Sequence, residues 1–108
     1  MDCKFLADLK AEATIPESGI LSRVLQKDDS TNVTLFGIAA GEGLPSHSVP
    51  MPAILYVADG EAEVQLGDDI VQAGPGSFVY MPPNLPHAIS TKSALKMLLI
   101  QIKCGYIK

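Results

Sequence analysis

From Ile20 onward the chain is a succession of short apolar runs, each cut off by a turn signal, and this rhythm limits the fold more than any other feature. ILSRVLQK (20–27) stops at DDST, NVTLFGIAA (32–40) at GEGLP, and AILYVAD (53–59) at Asp59-Gly60. EAEVQL, IVQAGPG, SFVYMPP, PHAIST and ALKMLLIQIK follow in the same manner. Runs of this length, bounded by Gly, Pro, Asn and Asp, read as strands. Asp59-Gly60 predicts a hairpin, because glycine supplies positive φ without steric cost. In EAEVQL, Ala62, Val64 and Leu66 alternate with Glu61, Glu63 and Gln65, the pattern of an antiparallel strand with one wet face. About eight such strands predict an all-β sandwich or small barrel. Only the start differs: KFLADLKA (4–11) places Phe5, Leu6 and Leu9 on one helical face and predicts a short helix or turn, broken at Pro16.

A chain of 108 residues without a linker or low-complexity segment is expected to be one domain, 1–108, with one continuous core. Apolar residues at 47% against 19% charged point to a large buried fraction. A net charge of −4 gives no basic footprint, which argues against a nucleic-acid partner. No apolar run approaches the roughly 18 residues of a membrane span. The segment MDCKFLADLK has two acidic residues and no signal-peptide core, so the expected location is cytoplasmic. In that reducing setting Cys3 and Cys104 are expected to be free thiols, and they lack C-x-x-C spacing. Whether they meet is not readable from the sequence.

Two strands are apolar on both faces. Val33 and Leu35 oppose Phe36 and Ile38; Leu95, Met97 and Leu99 oppose Leu98, Ile100 and Ile102. Such strands bury both faces. The expectation is a homodimer that covers the second face, and the alternative is that the N-terminal segment folds over it.

The two histidines, His47 and His87, each stand beside prolines at the mouth of a strand. Around them the chain resembles the cupins. That family's first motif is G-x5-H-x-H-x3,4-E-x6-G, and Gly41, His47, Val49, Ala53 and Gly60 fall on its spacing without a gap. The second motif is G-x5-P-x-G-x2-H-x3-N, and Gly76, Pro82, Asn84, His87 and Thr91 follow it in register. The resemblance covers about residues 20–103, with motifs at 41–60 and 76–91, and implies a double-stranded β-helix or jelly-roll barrel.

In metal-binding cupins the ligands are the two histidines and the glutamate of the first motif plus the histidine of the second. This chain keeps His47 and His87 but has Val49 and Ala53 at the other two positions. Catalytic zinc sites use three protein ligands, and the iron-type triad needs two histidines and a carboxylate. The metal site is therefore expected to be degenerate, with at most a weakly held divalent ion at His47 and His87. Met51 is the substitute ligand nearest in strand parity, and a thioether suits Cu(I) rather than zinc or iron.

Alternation along a strand puts residues 47, 49, 51 and 53 on one face. The expected pocket is His47, Val49, Met51, Ala53, Leu55, His87, Ile89 and Met97, an apolar lumen with two imidazoles at its mouth. Tyr56 and Tyr80 have the opposite parity and are expected to pack outside the lumen or at a dimer contact. No catalytic residue is assigned. The expected function is a small-molecule-binding or sensing module whose ligand is unknown. The alternative is a cupin enzyme, metal-dependent or using a histidine as general base, such as a dioxygenase, isomerase or decarboxylase.

Overall fold

A computed structural model describes residues 3–103 of the chain. Helix α1 (Leu9–Glu12) is followed by nine strands: β1 (Ile20–Lys27), β2 (Thr31–Ile38), β3 (Gly43–His47), β4 (Ala53–Asp59) and β5 (Ala62–Leu66) come first. β6 (Asp69–Ala73), β7 (Phe78–Met81), β8 (His87–Thr91) and β9 (Leu95–Ile102) follow, completing the elements among the described residues. They form a five-stranded sheet, β1-β2-β9-β4-β7, and a four-stranded sheet, β3-β8-β5-β6. Every pairing is antiparallel. The strand rhythm predicted an all-β sandwich or small barrel, and the resemblance implied a jelly roll; the two antiparallel sheets agree with both.

The core lies between the sheets. Ile38, Leu55, Val57, Val64, Leu95 and Met97 are buried there with Ala53, Ala62, Ala73, Met81 and Ile89. The alternation of the sequence is realised in β4: Ala53, Leu55 and Val57 are buried while Tyr56 is exposed. At Asp59-Gly60 the chain turns as expected. Gly60 has φ +87°, and a Cβ there would stand 2.0 Å from the Ala94 carbonyl oxygen. Both the backbone angle and the close approach require glycine.

The outer face of the large sheet is covered only in part. Leu6, Leu9 and Ala13 pack on Leu25, Val33, Leu35 and Leu98, forming a second apolar cluster. The strap lies so close that a Cβ on Gly37 would meet the Thr14 carbonyl oxygen at 1.8 Å. The N-terminal segment thus covers the β1-β2 side of that face and reaches β9, where the Lys96 ammonium donates to the Lys10 carbonyl, in line with the alternative to a dimer. The predicted helix is shorter than 4–11 because Asp8 caps it, its carboxylate accepting from the Ala11 amide. Phe5 leaves the apolar face altogether and is 80% exposed. Cys3 is exposed and Cys104 lies outside the described residues.

Beyond the strap, exposed aromatic side chains stand on β4 and β7. Leu98, Tyr56 and Phe78 form one cross-strand row, and Ile100, Ile54 and Tyr80 the next. Phe78 and Tyr80 are 66% and 53% exposed. Among the described residues no helix is long and apolar enough to cross a membrane.

Candidate functional site

At one end of the barrel, β3 and β8 bring the two histidines face to face. Their ring centroids are 4.3 Å apart and the planes are tilted by 55°. They are register partners, His47 opposite His87, just as Leu44 is opposite Ile89. Three residues on β3 therefore span two on β8, and the register shift between Leu44 and His47 is a β-bulge. In an unbroken strand Leu44 and His47 would point to opposite faces. The bulge turns His47 back to the side of Leu44, and Pro45, which has no N–H to give to a ladder, lies within it.

Each imidazole is held in the same way. Nδ1 of His47 donates to the Pro45 carbonyl at 3.0 Å, and Nδ1 of His87 donates to the Leu85 carbonyl at 3.0 Å. A carbonyl oxygen only accepts, so the proton sits on Nδ1 and each Nε2 is left bare in the neutral ring. His47 is exposed and His87 is 7% exposed. Asn32 Oδ1 alone stands as a fully buried polar side-chain atom without a partner among the described residues, so Nε2 of His87 still opens to accessible space.

That space is a cavity of about 150 Å³ lined by Phe36, Leu44, His47, Leu55, Met81, His87, Ile89, Met97 and Leu99. Five residues of the expected pocket meet here: His47, Leu55, His87, Ile89 and Met97. Val49, Met51 and Ala53 do not line it. The alternation argument treated 47–53 as one strand, whereas β3 ends at His47 in the small sheet and β4 begins at Ala53 in the large one. Residues 48–52 cross between sheets, and Pro50 and Pro52 lack the N–H that a continuing ladder needs. Ala53 is buried in the core beside the cavity, while Val49 and Met51 lie in the crossover, half-buried.

Val49 contributes through its backbone. Its carbonyl accepts from the Asn84 amide at 2.7 Å, tying the crossover to the proline loop that precedes His87. Asn84 has φ +69°, the left-handed conformation, at the position where the family motif has glycine. The Pro86 carbonyl accepts from the Gly67 amide at 2.8 Å, fixing the other side of that loop. Phe36, Leu44, Met81 and Leu99 were missed. For Phe36 and Leu99 a signal existed, since both lie on strands apolar on both faces and share parity with Ile38 and Met97.

Thr91 and Gln101 do not offer their polar groups to the cavity. The Thr91 hydroxyl donates to the Glu42 and Ala39 carbonyls, at 2.7 and 3.2 Å, at the far end of the barrel. Gln101 Oε1 accepts from Asn32 Nδ2 at 3.2 Å. Larger concavities exist, such as one of about 400 Å³ lined by Lys4, Leu6, Leu25, Gln26 and Val33 under the N-terminal strap. It is an open gap at the surface whose Lys4 ammonium is taken up by the Leu25 carbonyl, so size alone does not mark the site.

A metal ion of the kind many such barrels hold is not matched by this donor set. Two imidazoles converge, but among the described residues no group of three His, Cys, Asp or Glu comes together. Met81 and Met97 line the cavity, but thioethers are soft donors that complete neither a zinc nor an iron sphere.

Comparison with known proteins agrees with the architecture. A family model described as "Cupin domain" matches residues 34–101. A conserved protein of unknown function from Streptococcus pyogenes superposes with a TM-score of 0.86 at 28% identity, over 97% of this chain and 92% of its own. A cupin superfamily protein from Desulfitobacterium hafniense gives a TM-score of 0.87 at 24% identity, over 96% and 95% of the two chains. A cupin 2 conserved barrel domain protein from Leptotrichia buccalis gives 0.82 at 29% identity, covering 88% of this chain and 46% of that one. RmlC-like cupins from Shewanella frigidimarina and Desulfovibrio desulfuricans share the fold, with TM-scores of 0.77 and 0.78. No curated protein matches the chain.

Proposed function

The chain belongs to the cupin domain family, and from that premise we propose that it is a small-molecule-binding module whose metal site is degenerate. One observation carries the reading: the lumen ends in two oriented imidazoles, yet Val49 and Ala53 stand at the spacing of the other two ligands. What remains is an apolar cavity with a few convergent polar atoms, the usual make-up of a small-ligand site. Methyl-detected NMR of chelator-treated protein during a fragment screen tests it. Binders are expected to move Met81, Met97, Leu55 and Ile89 together. Shifts confined to surface methyls, or no binder at all, would refute the reading.

A metal-free enzyme is the second reading, favoured by the bare Nε2 of His87 beside the cavity. A nitrogen so placed suits a general base. Turnover of a ligand found in the screen, abolished by His87→Gln, would support this reading over simple binding.

The assembly proposed is a homodimer of a cytoplasmic protein. Its contact is the exposed group Tyr56, Phe78 and Tyr80 with half-buried Ile54 and Ile100 beside it. A patch without charge, on a chain of net charge −4, suits a second copy of itself in an isologous contact. Light scattering is expected to give twice the chain mass, reduced to one by Tyr80→Lys; a monomer mass for the unaltered chain at micromolar concentration would refute the dimer.

A further inference from the structure

The polar character of the cavity goes further, because His47 and His87, the polar side chains that line it, both present acceptors. The Nδ1 protons of both histidines are taken by the Pro45 and Leu85 carbonyls, so neutral His47 and His87 present only lone pairs at Nε2. The remaining lining is Phe36, Leu44, Leu55, Met81, Ile89, Met97 and Leu99. No lysine, arginine or hydroxyl lines it, so an anion would find neither countercharge nor a donor there.

The geometry points to a ligand that is neutral, apolar in its body and itself the hydrogen-bond donor: a small phenol or alcohol. This rests on the binding-module reading and names the class that the site takes. Size agrees, since an apolar cavity of about 150 Å³ takes up a benzene-sized molecule. The hydroxyl donates to Nε2 of His87 or His47, and the ring fills the space between Phe36, Leu55 and Met97.

The test is a comparison of phenol, toluene and benzoate by NMR titration of chelator-treated protein at pH 8, where free imidazole is neutral. Phenol and toluene have nearly the same shape, so their ratio isolates the donor. A net hydrogen bond is worth roughly two- to twelvefold in affinity, and phenol is expected to bind at least about threefold tighter than toluene, with benzoate weakest. His47→Leu and His87→Leu are made separately, the first at an exposed side chain where the fold is least at risk. At least one is expected to bring phenol down to the affinity of toluene. Toluene binding as tightly as phenol, or benzoate binding more tightly, would overturn the donor inference and leave the binding module standing. A phenol preference that persists in both variants would also overturn it. Should a variant fail to fold, the ranking of the three probes on the unaltered chain still decides. If none of the three perturbs the lumen methyls, the inference and the binding reading fall together.

Discussion

The two ends of the barrel are built from the same strands and treated oppositely. At the closed end Ile38 pairs with Leu95 and Ala62 with both Ala73 and Thr91, and all five are buried. The Thr91 hydroxyl ties down the chain between β2 and β3, and Gly60 lets the hairpin press on Ala94. At the open end the strands run into proline-rich segments, 48–52 and 82–86, joined by the Asn84-Val49 hydrogen bond. There the cavity is lined by His47 and His87, and Asn32 and Gln101 hydrogen-bond to each other. One end is filled to seal; the other is bounded by proline-rich loops and carries two imidazoles in an apolar lining. Stability is concentrated at the first and chemistry at the second.

Substitutions that ignore this division break the comparison soonest. Leu95→Ala removes a side chain with no exposure from the closed end and is expected to cost about 2–5 kcal/mol, measured by urea unfolding. Gly60→Ala puts a side chain on a left-handed backbone against the Ala94 carbonyl and is expected to cost about 2 kcal/mol or more. A milder effect is expected at the β1-β2 turn, which stands at the open end. There Asp28 accepts from the Gln26 side chain and from the amides of Ser30 and Thr31. The Gln26 contact first, then the two amides, hold its carboxyl down from 3.8 to about 2. A depressed pKa stabilises the fold above the ordinary carboxylate value, and that contribution is lost as pH falls through about 2. Asp28→Asn is therefore expected to flatten the fall in stability between pH 4 and pH 2; an unchanged acid slope would contradict it. Smallest of all, His47→Leu at the exposed mouth is expected to leave stability within about 0.5 kcal/mol. A loss of several kcal/mol there would mean that the mouth is structural after all.

The closed end was legible in the sequence because alternation and turn chemistry agree there. EAEVQL and Asp59-Gly60 each allow one arrangement, and the structure adopts it. The open end was legible only at its histidines. Reading 47, 49, 51 and 53 as one face assumed an unbroken strand, and Pro50 and Pro52 were the warning against it. The bulge that re-aims His47 turns on one extra residue in β3, a matter of register between distant segments that no local pattern contains. Phe36 and Leu99 reach the lumen for the same tertiary reason, although their strands were correctly placed. The two-faced strands raised the right question about the outer sheet face. Local sequence does not say that the N-terminal strap would cover β1, β2 and part of β9 and leave Tyr56, Phe78 and Tyr80 exposed.

The account depends on the imidazoles serving as hydrogen-bond acceptors of an apolar cavity and not as half of a metal sphere. Elemental analysis of protein purified without a histidine tag addresses this directly. Less than about a tenth of an equivalent of any transition metal per chain is expected, given that catalytic sites draw on three protein ligands and two converge here. A full equivalent that disappears in His87→Ala would contradict it.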